Sequence, residues 1–174
     1  MSHKMMSPNT TIWWVPQSGL TTPASPKSSE INAGVNISAA IETGFKLNAQ
    51  DSEVDSSRSI VDEGNVKTPT IGNYEADLTL FRDAIGTGTN DAPVPSTVYT
   101  TAFDLFKNGH VTGWLVSRHG KKSTTACAAG DVVSSYLVTN DYIETLDGAQ
   151  NAPIRTHVPF KPNGQMFLNR TAVA

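Results

Sequence analysis

The sequence predicts a mainly β fold, a sandwich or partial barrel with one flanking α-helix. Three observations predict it. Apolar and polar residues alternate over several separate stretches, Gly and Asp/Asn turns punctuate them, and only one segment shows helical spacing. Composition agrees with that reading. Of 174 residues only 17% are charged, and the chain holds 13 Gly and 10 Pro. Such a balance disfavours helical bundles and coiled coils, as well as charge-solvated disorder. A compact domain of this length buries roughly 70% of its unfolded surface and needs no disulfides.

Residues 1–29 read as an N-terminal arm, dominated by Ser, Thr and Pro from Ser18 to Ser29, and residues 30–174 as the β-domain. Within the arm, Trp13 and Trp14 sit in the apolar run Ile12-Trp13-Trp14-Val15 and are candidate anchors. Two adjacent tryptophans left in water would be wasted, so they dock on the chain's own core or on a neighbouring copy.

The first strand of the domain is expected over Ile31–Ser38, with Ile31, Ala33, Val35 and Ile37 on one face. Gly44–Leu47 continues the alternation. Apolar content then collapses. Residues 51–63 carry Asp51, Glu53, Asp55, Asp62 and Glu63 against Arg58, and the span 49–72 reads as a long functional loop. The clearest strand is Asn73–Asp83, with Tyr74, Ala76, Leu78 and Leu80 inward and Glu75, Asp77 and Thr79 on the wet face. After the turn-rich 86–95 stretch, Ser96 offers an N-cap. Val98, Ala102, Leu105 and Phe106 then follow at helical spacing to a stop at Gly109, predicting a helix over 96–108. Strands return over Val111–Arg118, Asp131–Asn140, Tyr142–Leu146, Ile154–Phe160 and Met166–Val173, with turns at His119-Gly120 and Asn163-Gly164.

Charge and motifs narrow the function. The formal net charge is −3, split as six basic and ten acidic residues in 1–87 and seven basic and six acidic in 88–174. An acidic chain is a poor phosphate grip, whereas unlike halves suit identical copies that meet unlike surface to unlike surface. The single Cys127 excludes an internal disulfide framework and multi-cysteine metal sites. The four histidines lack metal-face spacing, and Gly120-Lys121-Lys122-Ser123 lacks the upstream Gly of a phosphate loop. No Gly-x-Ser-x-Gly elbow is present either. No catalytic site, cofactor or metal is therefore expected, and the chain does not read as an enzyme. No apolar run approaches the ~18 residues of a membrane span. Residues 1–16 lack the apolar core of a signal peptide, so the chain reads as made inside a cell. Arg118, Lys121 and Lys122 cluster at one predicted hairpin tip, either as a solvated turn or as a basic patch for an acidic loop of another copy.

The ordered set "INAGVNIS", "VDEG", "NYEADLTLFRD", "AFDLF", "GWLVSRHG" and "AAGDVVSSYLVTND", over about residues 30–160, resembles the major tail tube proteins of long-tailed bacteriophages. The resemblance implies a β-sandwich whose inner strands join those of neighbours into one hexameric barrel. Rings then stack into a tube that conducts DNA passively into the host. It implies a virion location after assembly in the host cytoplasm, with self-contacts, a tape-measure protein, a tail-terminator and baseplate proteins as partners. DNA would cross the lumen without specific binding.

Exposed sheet edges are an aggregation hazard that ring closure would remove. Glu75 and Asp77 are then candidates for the lumen lining, where a basic surface would trap DNA. The 49–72 loop would reach the adjacent ring and meet Arg118, Lys121 and Lys122. The residues also leave open a monomeric β-sandwich binding module, using Trp114 and Tyr136 if they are exposed, or a small β-barrel enzyme or ligand carrier. A tail-terminator or baseplate ring protein fits the same sequence.

Overall fold

A computed structural model describes residues 9–55, 68–69, 72–82, 97–146 and 154–174. The elements are β1 (Thr10–Pro16), α1 (Ser28–Ala33), β2 (Val35–Asn36), β3 (Lys46–Gln50), β4 (Val54–Asp55), β5 (Thr68–Pro69), β6 (Asn73–Phe81), α2 (Val98–Phe106), β7 (Thr112–His119), β8 (Val132–Asn140), β9 (Glu144–Leu146) and β10 (Arg155–Thr171). The mainly β expectation holds. Eight of the strands form one open antiparallel sheet in the order β2-β1-β7-β8-β10-β6-β3, with β9 added beside β10, and β4 and β5 pair as a separate two-stranded ribbon.

Strand β10 turns this one sheet into two packed leaves. Arg155–Pro159 pairs with β6, while from Phe160 onward the same strand pairs with β8. Between the leaves lies the main core: Trp14, Leu115, Tyr136 and Val138 from one side, Tyr74, Ala76, Leu78 and Leu80 from the other. The β6 alternation read from the sequence is the one observed, with all four of those inward residues buried. Helix α2 closes one end of the core through Ala102 and Phe106. The Phe106 ring stands edge-on to Trp14 at 4.9 Å and to Phe160 at 5.3 Å, an arrangement aromatic quadrupoles favour. Thr97 caps this helix by accepting the Thr100 N–H, and Gly109 follows at φ 68. Ser96 lies outside the described residues.

The segment read as an arm is instead built into the sheet. Strand β1 pairs with β7 along its whole length, from Thr10 opposite His119 to Pro16 opposite Gly113. Ile12 and Trp14 enter the main core, while Trp13 and Val15 enter a second core on the sheet's other face. That second core gathers Trp114, Val116, Val133 and Leu137 under Leu20, Ile31 of α1, Cys127 and Ala172. A strand buried on both faces shows a continuous apolar run rather than alternation. Ile12–Val15 is such a run, hidden inside polar surroundings. Trp14 also needs the missing side chain of Gly113, where a Cβ would lie 2.5 Å from the indole.

Two further expectations are corrected. Ile31–Ser38 is not one strand: α1 takes Ser28–Ala33, and only Val35–Asn36 pairs with β1. The bend falls at Gly34, where a Cβ would press on the Trp14 carbonyl at 2.7 Å. The strands expected over 154–160 and 166–173 are one strand, β10, and Asn163-Gly164 is an irregularity within it rather than its end. The carbonyls and amides on either side keep β8 as partner, so the bulge re-aims the strand without stopping the ladder.

Candidate assembly surfaces

The wet face of the β3–β6–β10 leaf carries Glu75 and Asp77, and neither stands alone. Lys46 on β3 donates to Glu75 at 2.7 Å, and the Gln50 amide donates to its other oxygen at 2.9 Å. The Glu75 carboxylate holds the Lys46 ammonium above its ordinary value. Asp77 is hydrogen-bonded to His157 Nε2 at 2.6 Å, and Glu144 of β9 lies 3.5 Å from the other ring nitrogen. Arg155 pairs with Glu42 at 3.0 Å beside them. These pairs form because the register sets Lys46 opposite Asp77, Asn48 opposite Glu75 and His157 opposite Thr79, which puts alternate polar side chains on one surface. The face is acidic by a small margin, with Glu42, Glu75, Asp77 and Glu144 set against Lys46 and Arg155.

Strand β3 is a sheet edge. Among the described residues its one partner is β6, and no strand among them pairs with its other flank. Beside that edge the two leaves gape into a groove of about 480 Å³, floored by Phe45, Leu47, Tyr136 and Leu168 and by the small Ser117 and Ser134.

The 49–72 span is more ordered than a loop where it is described. Gln50 faces Asn73, and four residues further out Val54 faces Pro69. The register is therefore the same in both pairings, β3 with β6 and, as a separate two-stranded ribbon, β4 with β5. Asp51, Glu53 and Asp55 are exposed at alternate positions from β3 into β4. Asp62 and Glu63 lie outside the described residues.

Of the predicted basic patch, Arg118 is not at the surface. Arg118 is 1% exposed. Its Nη1 donates to Asp131 Oδ2 at 2.9 Å and to the Ala126 carbonyl at 2.9 Å. Its Nη2 donates to the Lys122 and Thr125 carbonyls and to Thr11 Oγ1. The Trp13 ring lies under the guanidinium at 5.0 Å. Lys121 also pairs with Asp131 but stays exposed, as Lys122 does, so two of the three cations reach the surface. Burial would raise the Asp131 carboxyl, but hydrogen bonds from Lys121, the Ala128 N–H and Arg118 outweigh it and bring it down to about 2.

Sequence reasoning missed this centre because Arg118 follows five consecutive buried residues in a strand that reads as ending at a polar turn. Asp131, at the foot of β8, was the available signal. Trp13 and Trp14 are core residues. Trp114 and Tyr136 are buried too, on opposite faces of the sheet, so they form no aromatic binding surface. Cys127 is buried, and burial pushes its thiol up, away from reactive thiolate. Among the described residues no helix is long and apolar enough to cross a membrane.

Among the described residues the features that bear on assembly are the edge of β3 with its groove, the exposed acids of the β4–β5 ribbon and the paired charges of the β6 face. A family model described as phage tail tube protein matches residues 1–174, the whole chain. The chain belongs to that family and is a structural protein of the bacteriophage virion, part of the tail tube. No curated protein matches it.

Proposed function

We propose that the chain polymerises as six-membered rings, stacked head to tail into a tube through which the genome is ejected. The observation that carries this reading is the open edge of β3 beside the apolar groove. An edge of that kind invites a further strand, and a neighbour's strand would pair its backbone and cover Phe45 and Leu47 at once. Six repetitions would close the strands into a barrel without free edges.

The wet face holding Glu75 and Asp77 would then line the lumen. Its carboxylates are matched by Lys46 and His157 at close range, so the lining is weakly acidic rather than strongly so. Such a surface neither traps phosphates by counterion release nor repels them far into the channel. The ribbon beyond Gln50 would reach toward the adjacent ring. Ring stacking is thus a contact between unlike surfaces, which leaves growth open-ended. Assembly would take place in the host cytoplasm, on a tape-measure protein and between baseplate and terminator rings.

Negative-stain electron microscopy of the purified chain, concentrated and incubated, tests the reading. Hollow tubes of uniform width are the expected product. Single closed rings that never stack would point to a terminator or baseplate ring protein instead. A monomer at every concentration would sink self-polymerisation and favour a monomeric binding module.

A further inference from the structure

The leaf that carries Glu75 and Asp77 has a second edge. Its strands run in the order β9-β10-β6-β3, because Arg155–His157 of β10 takes β6 on one flank and β9 on the other. Among the described residues β9 pairs with β10 alone, as β3 pairs with β6 alone. Every pairing in the leaf is antiparallel, so β9 and β6 run one way and β10 and β3 the other. A rotation about a tube axis keeps strand direction. β3 of one copy set beside β9 of the next is therefore antiparallel, and the alternation continues around a ring. β3 against β3, or β9 against β9, needs a two-fold axis and closes at a dimer.

The outward backbone groups of the two edges also match in phase. In an antiparallel pair one residue turns both its N–H and its carbonyl to the same neighbour, and the next residue turns them to the other side. The Thr79 carbonyl accepts from Glu42 on the β3 flank, and the Arg82 N–H donates to Ile154 on the β10 flank. Odd-numbered residues of β6 thus bond toward β3 and even-numbered ones toward β10. Lys46 and Asn48, opposite Asp77 and Glu75, bond inward, which turns Leu47 and Ala49 outward. By the same alternation β10 bonds β6 through Thr156 and Val158. It bonds β9 through Arg155 and His157, opposite Leu146 and Glu144, which turns Thr145 outward.

We propose that β9 of a second copy is the strand that pairs with β3, in the register that sets Leu47 opposite Thr145. The pairing rests on the tube reading above and names the partner edge and register within it. On the wet face it places Asn48 against Glu144 of the next copy, with Lys46 and Gln50 on the diagonals from that carboxylate. The Lys46 and Glu144 side chains are 57% and 76% exposed, so both reach the contact. The other register, Ala49 opposite Thr145, takes Glu144 away from Lys46. Within one copy Lys46 stands level with Asp77 of β6 and Leu146 level with Phe81, four residues along. Joining them across copies offsets each protomer by four residues over its four strands. At about 3.3 Å per residue and about 4.8 Å per strand, the strands incline by roughly 35° to the tube axis, the tilt of closed barrels.

Two substitutions of different kinds test the pairing. Thr145→Pro removes one outward N–H, which an edge strand tolerates. The chain should unfold at a temperature close to the parent's and form no tubes. Tubes from Thr145→Pro at the parent's concentration would overturn the pairing. In the second test, tubes of N48C/E144C are oxidised and run on a denaturing gel without reductant. A covalent ladder ending at the hexamer is expected. Within one copy two strands separate these positions, too far for a disulfide, and the native Cys127 is buried. A covalent dimer from N48C or E144C alone would mean that like edges meet, and would overturn the pairing. So would N48C/E144C tubes that stay unlinked, or stronger linking in Q50C/E144C, which reports the Ala49 register. If one variant fails to fold, the other readout decides. If the unmodified chain forms no tubes at all, the tube reading itself falls and takes the pairing with it, an outcome distinct from tubes that form without the cross-link.

Discussion

Arg118 and Asp131 form an ion pair at 2.9 Å, with 1% and 6% of their side chains exposed. The pair is surrounded by further donors and acceptors, Lys121, Thr11 and three loop carbonyls among them, so the buried charges are largely satisfied. Removing Arg118 leaves the buried Asp131 carboxylate with Lys121 as its remaining cation and takes the donors from three loop carbonyls. Arg118→Ala is therefore expected to cost about 3–5 kcal/mol in urea unfolding. In hydrogen exchange the amides of residues 122–130 should lose protection before those of β6 do. Equal protection in both regions would show that Arg118 does not hold the loop.

The same carboxylate gives a pH signature. Its folded pKa of about 2 lies below the ordinary 3.8, so the stability it contributes is present above pH 4 and is lost as pH falls toward 2. The amount is on the order of 2 kcal/mol. In Asp131→Asn this step should vanish from the acid limb of the stability profile, on a chain already weaker at neutral pH. An unchanged acid limb would assign that loss to other carboxylates.

Gly113 faces the indole of Trp14 with no space for a methyl group. A Cβ would meet Trp14 carbons at 2.5 and 2.8 Å and the Val15 carbonyl at 2.8 Å. Gly113→Ala should destabilise by about 1–3 kcal/mol through overpacking. Gly72→Ala, where none of the described residues lies within 4 Å of the added Cβ, serves as the control. The comparison is read in thermal unfolding of the two variants.

Strand β1 is expected to be indispensable. Trp14→Ala removes a ring packed on Phe106 and Phe160 and should cost about 3–5 kcal/mol. Deleting residues 1–16 takes away a strand paired to β7 throughout and should leave no cooperative transition. A folded, cooperative truncated chain would restore the arm.

For the wet face, tubes of Glu75→Lys/Asp77→Lys should retain double-stranded DNA at low salt and release it as salt rises, whereas unmodified tubes should not. Each substitution replaces a carboxylate by an ammonium, and Lys46 loses its partner Glu75, so the face turns from weakly acidic to basic. Equal retention by both tubes would remove these two residues from the lumen.

Much of the fold was legible in the sequence wherever one face of an element meets water. β6 alternates because Tyr74, Ala76, Leu78 and Leu80 enter the core while Glu75 and Asp77 do not, and α2 repeats its apolar residues at 3.6 because one side lies on the sheet. The acid-rich span between β3 and β6 was legible as well, since net charge of one sign there leaves nothing to bury. The candidate site was less legible. Glu75 and Asp77 could be placed on a wet face, but their partners on β3 and β10 stand 29 and 80 residues away.

By itself, then, the sequence determined the strand-rich class, the single long amphipathic helix, the inward residues of β6 and the sign of the charge on the ribbon. These are local periodicities and compositions, and they survive whatever the chain's path. The tertiary structure alone decided that Ile12–Val15 is a strand buried on both faces and that Gly34 bends the chain under it. It alone decided that β10 spans both leaves and that Arg118 is a buried clamp rather than a surface charge. Each depends on what lies across the sheet, and burial is a property of the assembled neighbours, not of the residue that is buried.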